Sequence, residues 1–176
     1  MGIELNIIRL FDSNLRGFFT INQIAQRLSK AYPYINRKVH GLLELGVLQS
    51  VQVGGSHLCT LNLRNRRAVL FLTEIELGKR SQLPHATIEL TRALEHDGHL
   101  AIETVVAGNG AIYLVGQGSY PGTTTVTADA LKALLLETDL FKDHVVLHGY
   151  ERFFAYLAAI QSDLDHKYNP LVAVRP

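Results

Sequence analysis

Five side chains within seven residues, Tyr34, Asn36, Arg37, Lys38 and His40, are of types that recognise nucleic acid. An arginine can donate two parallel hydrogen bonds to a guanine edge, and an asparagine amide can pair with adenine. Arg37 and Lys38 can equally neutralise phosphate oxygens. Tyr34 can pack on a sugar or a thymine methyl, and His40 flanks the group. Further on, Ser56 and His57 present backbone N–H groups and an imidazole to phosphate, but neither is a fixed cation. Arg64, Arg66 and Arg67 form a dense basic cluster suited to clamping a phosphodiester backbone. The plainer alternative is that these charges are a solvated helix face and a domain edge. Residue type alone does not separate groups that read bases from groups that only position the protein.

A second stretch with chemical potential is Gly116-Gln117-Gly118-Ser119-Tyr120-Pro121-Gly122, directly after an apolar run. Gly116, Gly118, Ser119 and Gly122 are candidates for a loop whose backbone N–H groups approach a ligand phosphate. The spacing is not Gly-x-Gly-x-x-Gly, since the third glycine comes one residue late, and no Gly-Lys-Ser/Thr follows. The alternative is a tight turn and nothing more. Eight histidines invite a metal reading, through His96-Asp97-Gly98-His99 and through His144 with His148 on one face of a strand. Without accompanying cysteines or a His-Glu-x-x-His, surface or capping histidines are the default. No Ser/His/Asp order stands out, and neither metal nor cofactor is expected.

The elements that must position the first group are legible from spacing. Thr20-Ile21-Asn22-Gln23 fits a capping box, and Ile21, Ile24, Ala25 and Leu28 then share one helical face. Ser29-Lys30-Ala31 makes a turn. Pro33 suits the first turn of the next helix, Ile35, Val39, Leu42 and Leu43 form its inward stripe, and Gly46 ends it. Tyr34, Arg37, Lys38 and Gly41 fall at i, i+3, i+4 and i+7, an outward face. Val47–Val53 and His57–Leu63 flank Gly54-Gly55-Ser56, a hairpin signal. A supporting helix is expected over 3–11.

Residues 4–67, above all Ile35-Asn36-Arg37-Lys38-Val39-His40-Gly41-Leu42-Leu43-Glu44-Leu45-Gly46-Val47-Leu48, resemble a winged helix-turn-helix domain of archaeal or bacterial transcription regulators. The resemblance implies a DNA-binding head whose recognition helix spans 33–45. It also implies a homodimer formed through an added helix, here the apolar stretch 68–80. The fold expected is α+β: a winged helix-turn-helix over 1–67, a linker or dimerisation helix over 68–84, and a small α/β domain over 85–176. That last domain reads as α-β-β-α-β-α, with a doubly buried strand over Ala111–Val115, a helix over 128–138 and one long helix from Gly149 or Tyr150 to Lys167. It resembles a minimal nucleotidyltransferase in two stretches, Gly118-Ser119-Tyr120-Pro121-Gly122 and Leu147-His148-Gly149-Tyr150-Glu151-Arg152-Phe153. Such enzymes hold Mg²⁺ with an Asp-x-Asp soon after the loop. Here Thr123–Thr127 stands in that place and Asp129 is alone, which implies an inactive relative kept for sensing, dimerisation or binding a small molecule or protein.

Charge supports the division. Residues 1–67 carry nine Lys/Arg against three Asp/Glu, a net +6, whereas residues 68–176 carry eight against thirteen, a net −5. A basic head joined to an acidic second part suits a phosphate-binding module. No apolar run approaches the roughly 18–20 residues that cross a bilayer, and no leader segment is recognised. The single cysteine, Cys59, reads as packing in a reducing cytoplasm. The expected function is a cytoplasmic regulator that binds double-stranded DNA. The alternatives are a nucleotidyltransferase-like enzyme and a winged helix used only for protein contact.

Overall fold

The computed structural model describes residues 2–12, 14–53, 55–96 and 101–168. The chain is α+β, with eight α-helices and two small sheets among these residues. It divides into two compact units, residues 1–72 together with 160–176, and residues 73–159. The last helix groups with the amino-terminal unit.

The first unit begins with α1 (Ile3–Arg9), which continues as tighter turns to Asp12. Helix α2 (Ile21–Arg27) starts at the expected capping box: Gln23 N–H donates to the Thr20 hydroxyl at 3.1 Å, and Thr20 N–H donates to the Gln23 amide oxygen at 2.8 Å. Ser29 takes positive φ to make the turn into α3 (Tyr32–Glu44). Ile35, Val39 and Leu42 of α3 are buried. The helix ends in a Schellman pair, Gly46 N–H to Leu43 O and Val47 N–H to Leu42 O. That geometry places Gly46 at φ +68°, where a Cβ is costly.

Strands β1 (Leu48–Val53) and β2 (Ser56–Leu61) then pair antiparallel from Leu48↔Leu61 to Val53↔Ser56. Phe19 adds a bridge to Cys59, tying the segment before α2 to the hairpin. Gly54, singled out for the turn, lies outside the described residues. Helix α4 (Arg66–Arg80) follows, its residues up to Leu72 in this unit and those from Thr73 onward in the second, and α8 (Gln161–Tyr168) completes the first unit. Arg16, buried, holds α8 in place. Its Nε and Nη2 donate to the two carboxylate oxygens of Asp165 at 2.6 and 3.0 Å, and its Nη1 donates to Leu61 O.

The second unit is a four-stranded sheet in the order β5-β4-β3-β6. Strands β3 (Ile102–Gly108) and β4 (Ala111–Gly116) form a hairpin at Asn109-Gly110. Strand β5 (Thr124–Val126) runs parallel to β4, and β6 (His144–His148) runs antiparallel to β3. Leu94 of α5 (His85–His96) packs with Val105, Leu114 and Leu147 on one sheet face. Helices α6 (Ala128–Glu137) and α7 (Tyr150–Ala159) bring buried Leu131, Leu135, Phe153, Phe154 and Leu157.

Three expectations for this unit are corrected. The sequence order lacks β5, because two exposed threonines and one half-buried valine give no apolar alternation. Strand β4 is not buried throughout, since only Leu114 and Val115 are fully covered and Ala111–Tyr113 are half-exposed. The long last helix is two helices broken at Ile160, and α8 belongs to the other unit.

The open edge of β6 is closed by side chains from the second half of α4. Buried Glu76 accepts from Val146 N–H at 2.8 Å, Arg80 donates to Leu147 O at 3.0 Å, and Lys79 reaches His144 O at 3.5 Å. An uncovered edge strand is a template for pairing with other chains, so these polar residues consume it.

Candidate nucleic-acid interface

The described part of α3 presents three faces at about 100° per residue. Ile35, Val39 and Leu42 point to the core. Tyr32, Asn36, His40 and Leu43 form the next stripe, and they line a groove of about 470 Å³ in the first unit. Its other walls are Thr20, Ile21 and Asn22 at the start of α2, and Ser50, Ser56, His57 and Cys59 of the hairpin. The beginning of one helix, the flank of the next and a β-ribbon thus meet on one concave surface. The cap at Thr20 fixes where α2 begins, Ser29 sets the angle between the helices, and the Gly46 turn delivers the ribbon beside α3.

The expected site residues distribute unevenly over this surface. Asn36, His40, Ser56 and His57 are brought together on the groove wall. Tyr34 and Arg37 are exposed, with Arg37 facing away from the core beside the groove stripe. Lys38 faces the other flank. Its ammonium donates to the Glu4 carboxylate of α1 at 2.7 Å. That contact lowers the Glu4 carboxyl below its ordinary value and raises the Lys38 ammonium above its own, so this charge is engaged within the unit. Arg64, Arg66 and Arg67 are all exposed just beyond the hairpin. Asn62 and Asn65 shape that bend, their side-chain oxygens accepting the N–H groups of Arg64 and of Arg67 and Ala68. Cys59 is buried, and burial pushes its thiol up, in keeping with a packing role.

Tyr32, Asn22, Leu43 and Ser50 belong to the groove but were not singled out by residue type. The available signal was spacing: 32, 36, 40 and 43 follow the same i, i+4, i+8, i+11 rule as any helical stripe. Large, half-exposed Tyr32 is the residue that rule should have drawn attention to, since aromatic groups commonly anchor interfaces.

The glycine loop of the second unit has a backbone role. Parallel neighbours usually need a connection of a dozen or more residues, yet only residues 117–123 join β4 to β5. Gly116, at φ +152°, passes so close to the preceding strand that a Cβ would lie 2.4 Å from Ala101 O. Gly118 and Gly122 also take positive φ. The loop is closed by hydrogen bonds from the Thr125 hydroxyl to Gly118 O at 2.9 Å and the Thr123 hydroxyl to Tyr120 O at 2.8 Å. Tyr120 packs on the core.

Gly116 lines a cavity of about 600 Å³ with Gln117, Glu103, Thr127 and Arg152, whereas Gly122 lines a separate one of about 440 Å³. Ser119 is exposed. Beside the larger cavity the Tyr156 hydroxyl donates to the Glu103 carboxylate. Burial first, and that acceptor second, push the Tyr156 phenol up to about 12.

Among the described residues no group of three His, Cys, Asp or Glu is arranged to hold a metal ion. Buried His144 bonds to Phe141 O through Nδ1 at 2.9 Å and packs against Phe153 with the rings tilted by 45°, while His148 is half-exposed. Asp97, Gly98 and His99 of the His96–His99 candidate lie outside the described residues, as do the Leu100 and Asn169-Pro170 boundaries. Among the described residues no helix is long and apolar enough to cross a membrane. Compared with protein-family models, curated proteins and solved structures, the chain matches none.

Proposed function

We propose that this protein is a double-stranded-DNA-binding transcriptional regulator of the winged helix-turn-helix kind. One observation carries the reading: the α2 start, the outward flank of α3 and the hairpin line a single concave surface, with exposed Arg37 beside it. In this reading Asn36 and His40 face base edges or phosphates from α3, His57 and Ser56 approach from the hairpin, and Arg64, Arg66 and Arg67 hold the backbone alongside. The basic balance of residues 1–67 supports it, because phosphate neutralisation supplies most sequence-independent affinity.

The second unit is read as a sensing or assembly module, since Thr123–Thr127 stands where a nucleotidyltransferase would carry an Asp-x-Asp and Asp129 has no acidic residue two positions away in sequence. A homodimer is supported by Leu70 and Leu77, seven residues apart on α4 and 58% and 49% exposed.

Fluorescence anisotropy with a labelled 30-bp duplex tests the reading. Binding that falls steeply between 50 and 200 mM KCl, with the log–log salt slope reduced by about 1 in Arg37→Ala and by less in Lys38→Ala, is the expected result. No measurable binding at 50 mM KCl would overturn it. Sedimentation of wild type against Leu70→Glu/Leu77→Glu checks the homodimer.

A further inference from the structure

The charges on the groove are unusual for a surface read as binding DNA. Its lining from α2 is Thr20, Ile21 and Asn22; from α3 it is Tyr32, Asn36, His40 and Leu43; from the hairpin it is Ser50, Ser56, His57 and Cys59. None of these is a lysine, arginine, aspartate or glutamate. The titratable groups are two imidazoles, a tyrosine phenol and a buried thiol, of which only imidazoles change charge near neutral pH. His40 and His57 come from different elements, α3 and β2, onto the same concavity, and both are exposed. The charges on α3 near His40 are Arg37, one turn before it, and Glu44, one turn after it, both exposed and outside the lining, and Lys38, which is on the other flank and paired with Glu4. On the hairpin, His57 stands opposite uncharged Gln52.

We propose that His40 and His57 are the phosphate contacts of this groove and that they act as imidazoliums, so that duplex binding takes up protons. The inference rests on the DNA-binding reading and specifies its regulation. A neutral imidazole has one N–H and no charge to offer a phosphate oxygen. A protonated one has two N–H donors and a full positive charge. Among the described residues of the lining no lysine or arginine competes for the phosphate, and no carboxylate neutralises the imidazolium. Binding therefore favours the protonated pair, and the affinity of the groove rises as pH falls. The fixed cations outside the groove, Arg37 and the 64–67 cluster, keep a basal affinity at higher pH.

The salt slope reads this directly, because each added phosphate contact contributes about 0.9 to it. Between pH 8.0 and pH 5.5 the wild-type slope should steepen by about 2, which is about a tenfold larger affinity loss over 50–200 mM KCl. The probe is the 30-bp labelled duplex, titrated at five pH values and three KCl concentrations. His40→Gln and His57→Gln should each lose about half of the pH-dependent steepening, and the double variant should lose nearly all of it. A wild-type slope that does not change with pH overturns this inference while leaving DNA binding intact. So does a pH effect that survives in the double variant, since the protons would then be taken up elsewhere. Absence of duplex binding at every pH overturns the underlying reading instead. Circular dichroism of each variant at both pH extremes separates loss of contact from loss of fold.

Discussion

Replacing Arg16 with methionine should cost the first unit more stability than any surface substitution in it. Arg16 is 2% exposed, and its guanidinium donates to both oxygens of Asp165 and to Leu61 O. The pair joins α8 to a segment 149 residues earlier. Methionine keeps most of the apolar stem but removes the charge and all donors. The Asp165 carboxylate, with only 20% of its side chain exposed, is then left without its bidentate partner.

Breaking a buried pair by deleting one member costs roughly 3–5 kcal/mol. For a chain of this size each kcal/mol moves the melting midpoint by about 2–4 °C, so a fall of about 10–15 °C is expected. Thermal melts followed by circular dichroism give the midpoint, and amide exchange over residues 161–168 locates the change. Arg16→Met/Asp165→Leu should recover much of the loss, because it removes both buried charges together. A midpoint within 2 °C of wild type, or undiminished protection of α8 in Arg16→Met, would refute the reasoning.

Glu76→Ala should destabilise the second unit by roughly 2–4 kcal/mol, because Val146 N–H at the β6 edge loses its acceptor. Glu76→Gln, which keeps an acceptor oxygen, should lose less in urea unfolding, and equal losses would count against the edge-closing role. Gly116→Ala should lower the melting midpoint strongly, since the added Cβ meets Ala101 O and the backbone sits at positive φ; a neutral effect would show that the close passage is not needed. Tyr156 holds its proton up to about 12, above the ordinary phenol value of 10.0. The folded state therefore binds more protons than the unfolded state between those values. The stabilisation is fully present below about pH 10 and is lost as pH rises toward 12. Wild type should lose stability across that window more steeply than Tyr156→Phe in urea unfolding series, and parallel curves would remove the assignment.

What could be read in the sequence was mostly local. The capping box at Thr20, the Gly46 stop and the Asn109-Gly110 turn each depend on neighbours within a few residues, and each is present in the structure. Strand β5 escaped because its pairing with β4 is tertiary and its three residues carry no periodic signal. Arg16 escaped because its partner lies in α8. The break at Ile160 hid inside an apolar helical pattern that runs smoothly from Phe153 to Leu164. The candidate site was legible in part. Residue chemistry picked out Asn36, His40, Ser56 and His57, but it weighted Lys38 equally with Arg37, since Glu4 is 34 positions away and its ion pair has no local signature. At the glycine loop the sequence left a ligand cradle and a tight turn both open, because the two call for the same residue.

Mapping the duplex onto the protein by amide chemical shifts tests the central claim most directly. Titrating the 30-bp duplex into uniformly ¹⁵N-labelled protein should move the amides of 20–22, of 32, 36, 40 and 43, and of 50, 56 and 57, with smaller shifts at 64–67. Shifts that avoid those positions and gather in residues 85–159, or none at saturating duplex, would contradict the account.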